Sequence, residues 1–180
     1  MMKLTIDSVI NKSKYIDISI DGYVPIDIKL FDTIGNVPLY YRLGNGKKSL
    51  LEIAVLPENG FLSAITLVII NPECVHKVDT ALEKLLVDSS GIPVVNLEIW
   101  KSQNNNSFSQ RFIDDFDFDI QAIVSPTSIM LNIAKNEEEI NWIKCSDRFY
   151  VGINDKKNIT SMLLDKLTQE EISNFFEAIS

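Results

Sequence analysis

The chain has 180 residues, 46% of them apolar and 23% charged, and 17 Lys+Arg against 25 Asp+Glu leave a formal charge of −8. That length covers one ordinary domain or two small ones. The apolar fraction excludes a disordered chain, and 7 Gly, 6 Pro and 2 Cys exclude collagen-like and disulfide-stapled ones.

The first residues, Met1 to Asp7, meet a carboxylate before any apolar signal region can develop. Alternation of Ile with polar residues then predicts two half-buried strands, Tyr15 to Asp21 and Pro25 to Leu30, joined at Gly22 as a hairpin. A second, longer hairpin is expected from Ser49 to Val55 and Phe61 to Ile69, because Asn59-Gly60 tolerates the positive φ angles of a tight connection. The longest apolar stretch, residues 65–70, is far short of the roughly 20 residues that cross a bilayer. A cytoplasmic protein without a membrane partner is the expectation.

Asn71-Pro72-Glu73 offers a cap, a proline at the first helical position and an acid in the first turn. Val75, Val78, Leu82 and Leu85 follow at helical spacing. A helix near 72–87 is one reading; the other is an irregular connection, because Asp79 and Thr80 are weak helix formers. Ile92 to Trp100 looks extended. The apolar-free stretch Ser102 to Ser107 is the candidate linker, dividing a β-rich first subdomain, 1–101, from an acidic one, 111–180.

Charge changes across that stretch. Residues 1–111 hold 11 Lys+Arg and 12 Asp+Glu, net −1, whereas residues 112–180 hold 6 and 13, net −7. The second part reads as strands at Phe112 to Val124, Ser128 to Ala134, Ile140 to Lys144 and Phe149 to Ile153. Thr168-Gln169-Glu170-Glu171 then forms a capping box ahead of the stripe Ile172, Phe175, Phe176 and Ile179, so a closing helix is expected at 168–179. The segments 51–67 and 149–164 share a hairpin pattern that two related β units would explain. The fold class is α+β, mainly β: antiparallel sheets, sandwich-like or as two related β subdomains, with a carboxyl-terminal helix.

No catalytic motif is found. Gly44 to Ser49 fails as a phosphate loop, since Tyr41 stands where the first glycine should be, Lys48 replaces the hydroxyl residue, and a strand follows instead of a helix. It reads as a lysine-tipped loop. His76 is the only histidine, which leaves no histidine-rich zinc site; Cys74 and Cys145 lack metal-ligand spacing and read as free buried thiols. Asp115 to Asp119 opens like a calcium loop, but Ile120 occupies the glycine place and Pro126 the glutamate place. No cofactor or metal is therefore expected, and no enzyme. Direct nucleic-acid binding is not expected either, because the cations are 14 Lys and only 3 scattered Arg.

The remaining reading of the acids is a binding surface. Asp115, Asp117 and Asp119 would line the outer face of one strand, with the phenylalanines turned inward, at intervals of about 6.5–7 Å. Carboxylates so placed repel one another, and a basic surface docking there would relieve the repulsion. Asp114 beside them, and Glu137, Glu138 and Glu139 in a turn, extend the candidate partner-binding field.

Five islands carry a family resemblance: residues 50–55 with Gly60 and 65–68; Gly91 to Trp100; Arg111 to Asp114; Trp142 to Cys145; and Phe149 to Ile153. Their order resembles the cytoplasmic immunity proteins of contact-dependent growth inhibition. The resemblance implies a protein that catalyses nothing and occludes a cognate toxin, basic and often a nuclease, at its active or substrate-binding surface. An acidic inhibitor steers onto such a surface quickly. The alternative is a non-catalytic accessory or ligand-binding β domain whose acidity only keeps it soluble.

Overall fold

The computed structural model describes residues 4–11, 16–31, 36–80, 82, 85–101, 108, 110–135 and 139–180. The described residues are mainly β, forming two large sheets, a two-stranded ribbon and one α-helix. The expected linker, Ser102 to Ser107, lies outside the described residues.

In chain order the strands are β1 (Ile6–Ile10), β2 (Asp17–Ser19), β3 (Ile26–Lys29), β4 (Leu39–Gly44), β5 (Leu50–Val55), β6 (Leu62–Ile69), β7 (Val75–Lys77) and β8 (Val87–Ser90). They continue as β9 (Ile92–Val95), β10 (Phe112–Asp115), β11 (Gln121–Val124), β12 (Ile129–Asn132), β13 (Asn141–Lys144), β14 (Phe149–Ile153) and β15 (Ile159–Leu164), and the helix α1 (Gln169–Ile179) closes the chain.

The first sheet runs β10-β4-β5-β6-β3-β2 and the second β7-β11-β12-β15-β14-β13-β8, while β1 pairs with β9. Both expected hairpins form: β2 with β3 and β5 with β6 are antiparallel. Register explains why. Ile113, Tyr41, Ile53, Ile65, Ile28 and Ile18 stand opposite one another across all six strands of the first sheet. A matching row, Val75, Ala122, Leu131, Met162, Val151 and Ile143, crosses the second. Both rows pack into one continuous core, as the inner faces of a sandwich do. A one-residue slip in any of these strands would turn its apolar set to water, so burial specifies the register.

The sheets draw strands from both sides of the polar stretch. Val75–Lys77 and Val87–Ser90 run in the second sheet, and Phe112–Asp115 runs in the first. All three are edge strands and all three pair parallel with their neighbours.

Three expectations need correction. Among the described residues of 72–87 no α-helix forms: Asn71 does cap and Pro72 does open a turn, but it is a single 3-10 turn, Pro72–Cys74, followed directly by β7. β-branched Val75 loses little in a strand, and its segment gains ladder bonds from β11 that an isolated amphipathic turn lacks. The extended reading of 92–100 holds for β9 only, because a second 3-10 turn, Leu97–Trp100, follows an Asn96 cap. That turn inserts Trp100, fully buried, edge-on against Tyr41 at 6.2 Å between ring centres, with its indole N–H donating to the Tyr40 carbonyl. The long strand 112–124 is broken into β10 and β11 by a bend at 116–118.

The closing helix is as expected. Thr168 accepts from the Glu171 amide at 3.1 Å, and the Glu171 carboxylate accepts from the Thr168 amide at 3.0 Å. Phe175 enters the core completely, and Asn174 donates to the Ile20 carbonyl, so α1 ties the end of the chain to its beginning.

Candidate partner-binding site

The acids from Asp114 to Asp119 do not form one outward strand face, because β10 ends at Asp115. Asp114 lies on the solvent side opposite Arg42 and holds its guanidinium bidentately, Nε to Oδ1 at 2.6 Å and Nη2 to Oδ2 at 2.9 Å. Asp115, one residue on, turns to the other side; it is half-buried and accepts from the Tyr41 hydroxyl at 2.6 Å. Asp119 accepts from Asn45 Nδ2 at 2.7 Å and Ser49 Oγ at 3.0 Å. Asp117 is exposed, as is Glu139, whereas Glu137 and Glu138 lie outside the described residues.

The phenylalanines are also redistributed. Phe112 and Phe116 are 51% and 39% exposed, and only Phe118 of the expected inward set is half-buried. Phe112 stacks on Tyr40 at 5.2 Å with the Arg42 guanidinium 5.1 Å from its ring centre. Phe116 lies over Gly46, where a Cβ would come within 2.9 Å of the ring. Exposed aromatic rings and exposed carboxylates therefore alternate along one short segment. That composition, apolar anchors beside charge, is what protein interfaces favour.

The lysine-tipped loop clamps this segment from below. Asn45 Oδ1 accepts from the amides of Lys47, Lys48 and Ser49, at 2.9, 2.7 and 3.0 Å, which leaves Lys47 and Lys48 pointing to solvent. Those amides are engaged by a side chain and cannot cradle a phosphate. Beside the clamp is a cavity of about 360 Å³, whose lining includes Leu43, Asp115, Asp117, Phe118, Ile133 and Thr160.

Local reading missed Tyr41 and Arg42, the residues that organise Asp115 and Asp114. Their alternation within Leu39 to Leu43 identifies a strand but not its neighbour, since the parallel β4–β10 pair joins residues about 70 apart.

Other sequence candidates stay apart from this site. His76 is exposed on β7 with Nε2 3.3 Å from Gln121 Oε1. Cys74 and Cys145 are both free and each is partly buried; burial pushes the Cys145 thiol up to about 12, which keeps it un-ionised and unreactive. Among the described residues no group of three or more His, Cys, Asp or Glu could hold a metal, and no helix is long and apolar enough to cross a membrane.

Comparison with known proteins gives one informative match. Immunity protein CdiI-1 of Escherichia coli O157:H7 (strain EC869) is 45% identical to this chain over 85 residues, which is 99% of that protein and 47% of this one. The chain belongs to the immunity proteins of contact-dependent growth inhibition. No family model matches it. This immunity protein includes a further stretch, about half its length, outside the match.

Proposed function

We propose that this immunity protein binds the toxin made alongside it and neutralises it by covering the toxin's active or substrate-binding surface, without chemistry of its own. The carrying observation is the match to a relative named an immunity protein, which spans 99% of that relative and 47% of this chain. The toxin in this reading is a basic nuclease domain, because a polyanionic substrate demands a cationic surface and the net charge of −8 complements one. Contact centres on residues 112–119, where exposed Phe112 and Phe116 flank exposed Asp114 and Asp117, with Glu137, Glu138 and Glu139 extending the field. The aromatic rings supply apolar anchoring, and the carboxylates supply steering.

The test is association with the toxin domain encoded beside this gene, followed by stopped flow between about 0.05 and about 0.5 M salt. The on-rate should fall with salt. The double variant Asp114→Asn, Asp117→Asn should associate about 3- to 10-fold more slowly at low salt. An unchanged on-rate in the double variant would place the interface elsewhere on the molecule.

A further inference from the structure

The two large sheets repeat one strand order. From its β10 edge the first runs β10-β4-β5-β6-β3-β2, and from its β8 edge the second runs β8-β13-β14-β15-β12-β11 before β7 is added. In both, a hairpin (β2–β3, β11–β12) is followed along the chain by a three-strand meander (β4–β6, β13–β15), whose last strand pairs antiparallel with the second hairpin strand. In both, a parallel strand lies on the outer edge of the first meander strand, β10 on β4 and β8 on β13. The segments 51–67 and 149–164, alike in hairpin pattern, fall on the same two places of this order, β5–β6 and β14–β15. Strands consecutive in sequence usually pair as plain neighbours, so two unrelated sheets would not be expected to share one non-sequential order with all six directions matched.

Register shows what stands at equivalent places. Tyr41 and Ile143 are the buried, inward residues of β4 and β13. Taking them as equivalent, Arg42 matches Lys144, Tyr40 matches Trp142, and exposed Phe112, opposite Tyr40, matches exposed Val87, opposite Trp142. Both cations are neutralised, Arg42 by Asp114 at 2.6 Å and Lys144 by Asp147 at 3.0 Å. Lys144 takes its carboxylate from the turn after β13, because Ser90 stands where the first sheet has Asp114. Each corner keeps a further exposed carboxylate, Asp117 beyond β10 and Asp88 on β8, and a second exposed apolar side chain, Phe116 in the first and Leu86, 69% exposed, in the second.

From this recurrence we infer that the fold is one unit used twice and that the docking corner is present twice, the second being formed by Leu86, Val87 and Asp88 and taking a second molecule of the same basic partner. The inference rests on the proposed toxin reading for the identity of that partner. Charge and composition decide the occupant. With Lys144 neutralised by Asp147, Asp88 leaves the corner net negative, and the aliphatic side chains beside it supply the anchoring that Phe112 and Phe116 supply on the first sheet. A cationic surface that meets one corner therefore meets the same chemistry at the other. The corners lie on different sheets and share no residue, so each can be altered by itself.

The experiment counts how many toxin domains one full chain holds, by light scattering during size-exclusion chromatography of the complex formed with an excess of the toxin domain encoded beside this gene. Two per wild-type chain are expected. The variant Leu86→Ser, Asp88→Lys should hold one, with an affinity within about 2-fold of the wild-type first corner, because the sites are separate. Phe112→Ser, Asp117→Lys should likewise hold one, and the combined variant none. All four side chains are exposed, so each variant should melt as wild type does. One toxin domain per wild-type chain would overturn the second corner, whether or not the β8 variant weakens it, and so would two domains retained by that variant. No association with the wild-type chain would overturn the toxin reading as well, whereas one bound domain leaves that reading standing, so the two failures are distinct.

Discussion

Asn45 donates from its side-chain amide to the Asp119 carboxylate at 2.7 Å across 74 positions of sequence. The same side chain accepts three amides of its own loop, so one residue both shapes the turn after β4 and holds the bend between β10 and β11.

Replacing Asn45 separates these roles. Asn45→Ala leaves three loop amides and Asp119 short of partners and should cost about 1–3 kcal/mol in urea unfolding. Asn45→Asp retains the acceptor for the loop amides but sets a second carboxylate against Asp119. It should keep the turn while releasing the bend, seen as faster hydrogen exchange at residues 117–120. Unchanged exchange there would show that Phe116 packing on Gly46 suffices to hold the segment.

Glu171 links acid stability to the carboxyl-terminal helix. Its burial alone would raise its carboxyl, but the Thr168 amide and the Arg148 guanidinium outweigh that and hold it below its ordinary value of 4.5. With the folded value depressed, the contribution is complete above the unfolded carboxylate range and is lost as pH falls through the folded value. Stability should therefore erode from about pH 5 downward, and Glu171→Gln should flatten that part of the profile. A Glu171→Gln profile parallel to wild type between about pH 5 and about pH 3 would remove Glu171 from the account.

Gly60 is the turn glycine whose freedom the fold requires. It sits at φ +77°, and a Cβ there would lie 2.4 Å from the Val95 carbonyl oxygen, a backbone atom with little room to move. The closeness has a purpose, since the Gly60 carbonyl accepts the Val95 amide at 2.7 Å and so joins the β5–β6 hairpin to β9. Gly60→Ala combines left-handed strain of about 1–2 kcal/mol with that overlap, and a loss of at least 2 kcal/mol in chemical denaturation is expected. A loss below 1 kcal/mol would mean that β9 shifts away without cost.

Several features were legible locally because their causes are local. The Thr168–Glu171 capping box, the Asn59-Gly60 turn and the alternation of strands β3, β5 and β6 each depend on residues within a few positions of one another. The candidate site was only half legible. Its acids stood out as a charge run, yet the partners that orient them, Arg42, Tyr41, Asn45 and Ser49, come from about 70 positions away.

The amino-acid sequence by itself determined a mainly β chain with two early hairpins, a capped terminal helix, a second half carrying nearly all the excess negative charge, and the motif order of an immunity protein. Tertiary structure alone decided that Val75–Lys77, Val87–Ser90 and Phe112–Asp115 would be parallel edge strands, and that the acids would divide among Arg42, Tyr41 and the Asn45 loop. The reason is physical: a hairpin's register is specified by its own turn, whereas a parallel neighbour is reached only through a long crossover. Its identity then depends on which docking buries the most apolar surface while satisfying every backbone group.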